Sequence, residues 1–511
     1  MGWDKARSEE RIRDRWEARD TEITVTKLKR DMDLENVTLK NGRLIRGAHL
    51  YATVAGSGRL HLLDSDAHAS SSIQRVALWQ GEVAKMASSF DVPIIAFQGG
   101  RVHLLVFRPI DDDGEIARKA ALLGRAISLM THFAFNPLFE EDLRLKARAA
   151  VDLGETVATR GGTRGDSELL FLGSAANRPA KLLGASILTA TGCFVDALDD
   201  QLELEKEEKA GEDDAWVLKL SRKTVEDEAS EDGIDWSVDI SKKRIEADLE
   251  KWPVDRFKVS GASGLIDPPS LGRSNSKLVD AAVVLVDIDG FSDYVDQAED
   301  DDVKRDAILA LDAIRQELRS VLKTDHEGVR IQYQGDNMIG LVHLPASDEE
   351  KIAAAVVDVA AAMQSSMGIT LPAIVPDLAG LDVAVGISSA RTVVSSLGAY
   401  GRRNAIVIGP AASGSEAIQQ RLVAEQTGID KATFEALEED VAGQFEWSAS
   451  ARAYVAEGLD AAKLSRIKEA ASATAKSDRT VTPGHGGRFH IGSGAAVAGG
   501  ESVRPIRPYA E

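Results

Sequence analysis

Two short stretches set carboxylates where strands should end. Val286-Asp287-Ile288-Asp289-Gly290-Phe291-Ser292 follows the apolar run Val283, Val284, Leu285 and leads into a turn glycine and a helix start. Gln334-Gly335-Asp336-Asn337 turns the chain between Val329, Ile331, Tyr333 and Met338, Ile339, Leu341, Val342. Aspartates brought side by side at two strand ends can hold divalent cations, since Mg²⁺ and Mn²⁺ favour carboxylate and carbonyl oxygens. Turn chemistry also places aspartate at strand ends. The pair gains weight only from the elements around it.

Those elements are Val383-Ala384-Val385-Gly386-Ile387-Ser388, running on to Leu397-Gly398, and then Val407-Ile408-Gly409. In this order and with these glycines, residues 278–440 resemble the catalytic domain of class III nucleotidyl cyclases. That family comprises adenylate and guanylate cyclases and some pyrimidine cyclases.

Residues 45–182 repeat the same plan. His49 to Gly58 corresponds to the strand and turn around Asp287, and Ile94-Ile95-Ala96-Phe97-Gln98-Gly99-Gly100 to the segment Arg330–Asp336. Ile73, Val76, Val83, Met86 and Phe90 keep helical spacing, as Leu311, Ile314, Leu318 and Val321 do later. A second helix follows in both halves. Gly99 and Gly173 stand 74 residues apart, as do Gly335 and Gly409. Order and span together indicate an internal repeat. Two similar domains in one chain can dock as a pseudo-symmetric pair.

The expected fold is therefore α+β, with two ferredoxin-like class III cyclase domains in tandem forming a pseudo-heterodimer. The expected boundaries are a charged helical arm (1–40), a degenerate cyclase domain (41–255), a linker (256–278), a metal-binding cyclase domain (279–467) and a flexible tail (468–511). The arm has a sparse apolar stripe (Trp3, Ile12, Trp16, Ile23) suited to packing on its own domain. The tail carries His485 and His490, which read as solvated. The strand-like Trp216–Leu220 belongs with the first domain.

Composition bounds the rest. The chain has 511 residues, 44% hydrophobic and 28% charged, with a net charge of −21. Such acidity disfavours nucleic acid, whose phosphates select basic surfaces. No apolar run approaches a membrane span and the charged start is no signal peptide, so no membrane partner is expected. A single cysteine, Cys193, excludes an internal disulfide framework and fits a cytoplasmic setting. No Gly-x-x-x-x-Gly-Lys-Ser/Thr loop is present, which disfavours P-loop NTPases. The turn at Asp336 also lacks the Gly-Gly-Asp/Glu-Glu/Asp-Phe pattern of diguanylate cyclases.

The resemblance assigns roles residue by residue. Asp287 and Asp336 fall on the two metal aspartates, with the Ile288 carbonyl as a further ligand, so two divalent cations (Mn²⁺ or Mg²⁺) are the implied cofactors. The ribose-orienting asparagine falls on Asn177 and the transition-state arginine on Lys181, which keeps the charge but loses the planar fork. Phe291 and Ser292 open the next helix and would bind phosphate oxygens with backbone N–H groups. The losses are complementary: Thr53 and Gly100 replace the aspartates in the first domain, and Ser413 and Ala417 replace the asparagine and arginine in the second. One working site in a monomer with an internal pseudo-dimer is the expectation, taking a nucleoside triphosphate. Its base pocket maps to Ala96, Phe97 and Leu170, which lack the polar pair of purine readers. That favours UTP, then CTP; a purine nucleotide or a non-catalytic binding module is the alternative.

Overall fold

The structure is a computed structural model that describes residues 2–478 apart from 18–22, 31, 162–167, 185, 200, 210–213, 297–300, 379 and 399–403. His485, His490 and Arg402 lie outside these residues. The chain divides into a unit of residues Met1–Lys468, which holds both repeats, and a C-terminal unit, Glu469–Glu511.

The repeat becomes two mixed nine-stranded sheets. The first contains β1 (Thr24–Lys27), β2 (Asn41–Thr53), β3 (Ile94–Gln98), β4 (Arg101–Val106), β5 (Arg148–Gly161), β6 (Glu168–Leu172), β7 (Leu188–Thr191), β8 (Glu205–Glu208) and β9 (Ala215–Lys219). The second contains β10 (Val259–Ser260), β11 (Ser276–Asp289), β12 (Val329–Gln334), β13 (Asn337–Val342), β14 (Asp382–Leu397), β15 (Asn404–Ile408), β16 (Gln426–Ile429), β17 (Glu446–Ser448) and β18 (Ala453–Glu457). The first sheet runs β3-β4-β2-β5-β7-β9-β8, the second β12-β13-β11-β14-β16-β18-β17. In each, one further strand pairs with the sheet's long central strand and another closes a hairpin. Trp216 and its neighbours are part of the first sheet, as their pattern suggested.

The long helices cover one face of each sheet, and the short helices after β6 and β15 rest against the other. In the first half, α1 (Lys5–Glu17) precedes the sheet, α2 (Asp66–Ser89) and α3 (Asp113–Leu129) pack on it, and α4 (Ser174–Lys181) follows β6. In the second, α5 (Phe291–Asp296) and α6 (Asp301–Ser320) follow β11, α7 (Glu349–Ser365) follows β13, and α8 (Pro410–Gln419) follows β15. Asp112 caps α3 and Asp348 caps α7, each accepting from an N–H three residues on. Alternation on β2 sends Leu50, Ala52 and Val54 into the helical core with Trp79, Met86 and Phe90. His49, Tyr51 and Thr53 are left for the opposite face.

The hairpins tie the halves together. Val157, Leu170 and Leu172 from the first domain lie in the core of the second, beside Ile314 and Leu318. Val393, Leu397, Ile406 and Ile408 return the exchange into the first core. Each such side chain contributes roughly 1.5–3 kcal/mol when fully buried, so the two domains form one body. Across this seam Arg330 pairs with Glu168 at 2.8 Å, and the other Glu168 oxygen accepts the Tyr333 N–H at 3.0 Å.

Helix α1 packs on the far half rather than on the first domain, where β1 sits. Arg11 donates to both Glu317 and Asp325, whose side chains are buried, and Ser8 donates to Glu317 at 2.7 Å. One stretch departs from the expected absence of apolar spans: Glu349–Ile374 is long and apolar enough to cross a membrane, but 72% of its apolar window is buried within the fold. It is a core helix of the second domain.

Candidate active site between the halves

Antiparallel pairing of β11 with β13 brings the aspartate strand and the Gly-Asp turn together, with Val286 opposite Met338. Gly335 turns the chain at φ 64°, a conformation suited to glycine. Asp287 is half-buried and Asp336 is buried, 8% exposed. Burial and then the charge of Asp287 push the Asp336 carboxyl up to about 7. Burial also raises Asp287.

The first domain reaches into this pair. Asn177 Nδ2 donates to Ser292 Oγ at 2.8 Å and approaches Asp336 Oδ2 at 3.5 Å, and Ser292 Oγ donates to the same oxygen at 3.3 Å. The approach needs a glycine on the other side: a Cβ at Gly335 would lie 2.7 Å from Asn177 Oδ1. Lys181, one turn along α4, lies in the field of both aspartates and opposes the rise of each. The other α4 cation, Arg178, is held by Asp214 at 2.5 Å. Asp289 faces elsewhere, accepting the Ala424 N–H at 2.9 Å.

A buried carboxylate raised by the charge of a half-buried neighbour suits a divalent cation, which would remove the repulsion. Among the described residues no cluster of three or more His, Cys, Asp or Glu surrounds them. Bound cations would complete their shells with backbone carbonyl, substrate phosphate and water, the usual manner of Mg²⁺. The Ile288 side chain is buried in the second core, as is the Phe291 ring.

The residues mapped to the base pocket separate. Phe97 is buried in the first core and Leu170 in the second. Ala96 pairs with His103 across β3 and β4. Around His103 lies a cluster that sequence reasoning missed. Tyr51 stacks on His103 with centroids 4.2 Å apart, His49 Nδ1 meets His103 Nε2 at 2.9 Å, and Phe171 sets its edge against both imidazoles. Burial lowers His49 to about 3 and pushes the Tyr51 hydroxyl up; that hydroxyl also feels Arg101 and Asp336. The available signal was period-two alternation, which puts Tyr51 and Thr53 on one face of β2.

The pseudo-equivalent cleft holds no carboxylate pair. Thr53 Oγ1 donates to the Gly100 carbonyl at 3.3 Å, and Ser413 Oγ to the Pro410 carbonyl at 3.2 Å. Gly100, Arg101, Gln332, Ser413 and Glu416 line it. Arg421 donates to the Ala417 carbonyl at 2.7 Å, and Lys431 pairs with Glu435 at 3.3 Å.

The facing sheets and their exchanged hairpins give the chain the class III nucleotidyl cyclase fold, in tandem form. It matches, with a TM-score of 0.78 and 23% identity over 92% of this chain and all of the other, the crystal structure of a class III adenylyl cyclase-like ATP-binding protein from Pseudomonas aeruginosa. In sequence the chain is 26% identical over 443 residues to a uridylate cyclase of Pseudomonas aeruginosa, covering 83% of this chain and 84% of the relative. It is 24% identical over 373 residues to a uridylate cyclase of a Rhizobium species, covering 68% of this chain and 69% of the relative. No protein-family model matches.

Proposed function

We propose that the chain is a pyrimidine nucleotidyl cyclase, converting UTP to 3′,5′-cyclic UMP and pyrophosphate at one composite site. The reading is carried by the Asn177 contact to Ser292 and Asp336, which joins the ribose-orienting position of one domain to the metal position of the other. The uridylate cyclase relatives support the base.

In this mechanism the ribose 3′-oxygen attacks the α-phosphorus, its proton leaves, and the bond to the β-phosphate oxygen breaks with pyrophosphate departing. Asp287, Asp336 and the Ile288 carbonyl would hold two divalent cations, which supply Lewis acidity toward the hydroxyl and the phosphates. Asn177 orients the ribose, and Lys181 stabilises the charge that grows on the α-phosphate. The Phe291 and Ser292 amides receive phosphate oxygens. We place the base beside Ala96, the mapped residue that lies in neither core, with Phe97 and Leu170 packed into the two cores behind it. Burial without paired polar groups would discriminate against a purine edge.

By analogy with the pyrimidine cyclases of bacterial antiphage signalling, the cyclic product serves as a cytoplasmic second messenger. The test is incubation of purified protein with Mn²⁺ and ATP, GTP, CTP or UTP separately, with products identified by mass. Cyclic UMP is expected to dominate. Cyclic AMP or GMP would overturn the base assignment, and no pyrophosphate from any nucleotide would overturn the enzyme.

A further inference from the structure

Asp287 has a neighbour that the class resemblance does not assign. Gln419, the last residue of α8 and only 6% exposed, donates through Nε2 to Asp287 Oδ2 at 3.0 Å. The helix reaches that far because it rests on a glycine. Gly386 lies in β14 opposite Leu285, and a Cβ there would stand 2.4 Å from the Ser415 carbonyl and 2.7 Å from the Gln419 nitrogen. Asp289 holds the chain just beyond by accepting the Ala424 N–H. On the other side, Glu416 pairs with Arg101 of the first domain. The helix is thus seated from both halves.

The repeat supplies an independent control. Gln419 follows the strand-end Gly409 by ten residues, and ten residues after the matching Gly173 stands Leu183. The counterpart of Asp287 is Thr53. Carboxylate and amide are absent together in the half without a metal position, where α4 ends at Lys181 and Leu183 lies just beyond it. That pairing ties the amide to the carboxylate.

We propose that Gln419 is a positioning residue: its N–H fixes Asp287 Oδ2 and so turns Oδ1 toward a divalent cation. The inference rests on the composite-site reading above. A carboxylate that donates electron density to a cation keeps its orientation through such outer contacts, whose loss typically costs about 10–100-fold in metal affinity. Gln419→Met keeps the volume and removes the donor, and Gln419→Asn keeps the amide but withdraws it by one methylene.

The test is calorimetric titration of Mn²⁺ into the full chain, followed by kinetics with the preferred nucleotide. Both variants should bind Mn²⁺ at least about 10-fold more weakly, with turnover largely restored at saturating Mn²⁺ and KM for the nucleotide within about twofold. Gln419→Asn keeps the test open should Gln419→Met fail to fold. Unchanged Mn²⁺ affinity in a folded variant overturns the inference, as does a turnover loss that saturating Mn²⁺ leaves untouched. If the wild-type chain binds Mn²⁺ and Asp287→Asn abolishes that binding, the composite site stands whatever Gln419 does. If wild type binds none with or without the nucleotide, both readings fall.

Discussion

Asp336 sets the pH behaviour of the site. Its carboxyl lies near 7 in the fold against an ordinary 3.8, through burial and the neighbouring Asp287. Between those values the folded chain holds a proton that the unfolded chain has released. Stability therefore falls as pH rises from about 4 to about 7, by about 1.4 kcal/mol for each pKa unit at most. Urea denaturation at about pH 5 and about pH 8 should show this slope, flattened in Asp336→Asn and opposed by Mn²⁺. A metal-free slope unchanged in Asp336→Asn would assign the titration to another group. The same variant, like Asp287→Asn, should lose turnover by about 10³-fold or more while remaining folded, the scale of losing a preorganised charge contact and more. Asn177→Ala and Lys181→Ala should each cut turnover by about 10²-fold. Ser413→Ala should stay within about twofold, because its hydroxyl only caps its own helix turn at the Pro410 carbonyl.

Elements carry residues to these positions, and two of them can be tested. The β12–β13 turn depends on Gly335, where a side chain would meet both an unfavourable φ of 64° and Asn177 Oδ1. Its repeat partner Gly99 has φ 62° and a Val407 carbonyl 3.1 Å from the Cβ position. Gly335→Ala and Gly99→Ala should both lower the melting temperature, each strained by roughly 1–2 kcal/mol. Only Gly335→Ala should also depress kcat strongly, since Gly99 turns the strand pair of the half without aspartates. Helix α1 is the other element. Arg11→Ala would leave Glu317 buried without its cation and Asp325 with Arg7 alone, at a cost of about 3–5 kcal/mol. Arg11→Ala combined with Glu317→Gln should recover part of it in a denaturation series. The charged pattern pointed to a helical arm over residues 1–40; the helix spans Lys5–Glu17, and Thr24–Lys27 instead pairs as a strand with β2. Which half the helix would cover depended on Glu317 and Asp325, more than 300 positions away, and no local period carries that.

At the scale of the molecule, repetition made the fold legible. Equal glycine spacing and matched hydrophobic runs foretold two like domains, and complementary losses pointed to Asn177 of one half against Asp336 of the other, which lie 3.5 Å apart. The buried ring cluster around His103 was less legible because it is built by alternation across strands paired at long range. Counting four residues back from Gly100 and three back from Gly173 reached Ala96 and Leu170, yet the rings beside His103 come from β2 and β6, with Phe171 on the opposite side of its strand from Leu170. The docking of the halves has a direct consequence for assembly. Asn177 and Asp336 meet within one chain, and the hairpins bury Leu170, Leu172, Ile406 and Ile408 in each other's cores. A second copy has nothing to complete. Turnover per chain should therefore stay constant across a wide dilution series, with the active species sedimenting as a 54.8 kDa monomer. Mixing Asn177→Ala chains with Asp336→Asn chains should give no recovery, because neither can lend its intact half. Recovery in that mixture, or activity that rises steeply with concentration, would show that the working site forms between chains.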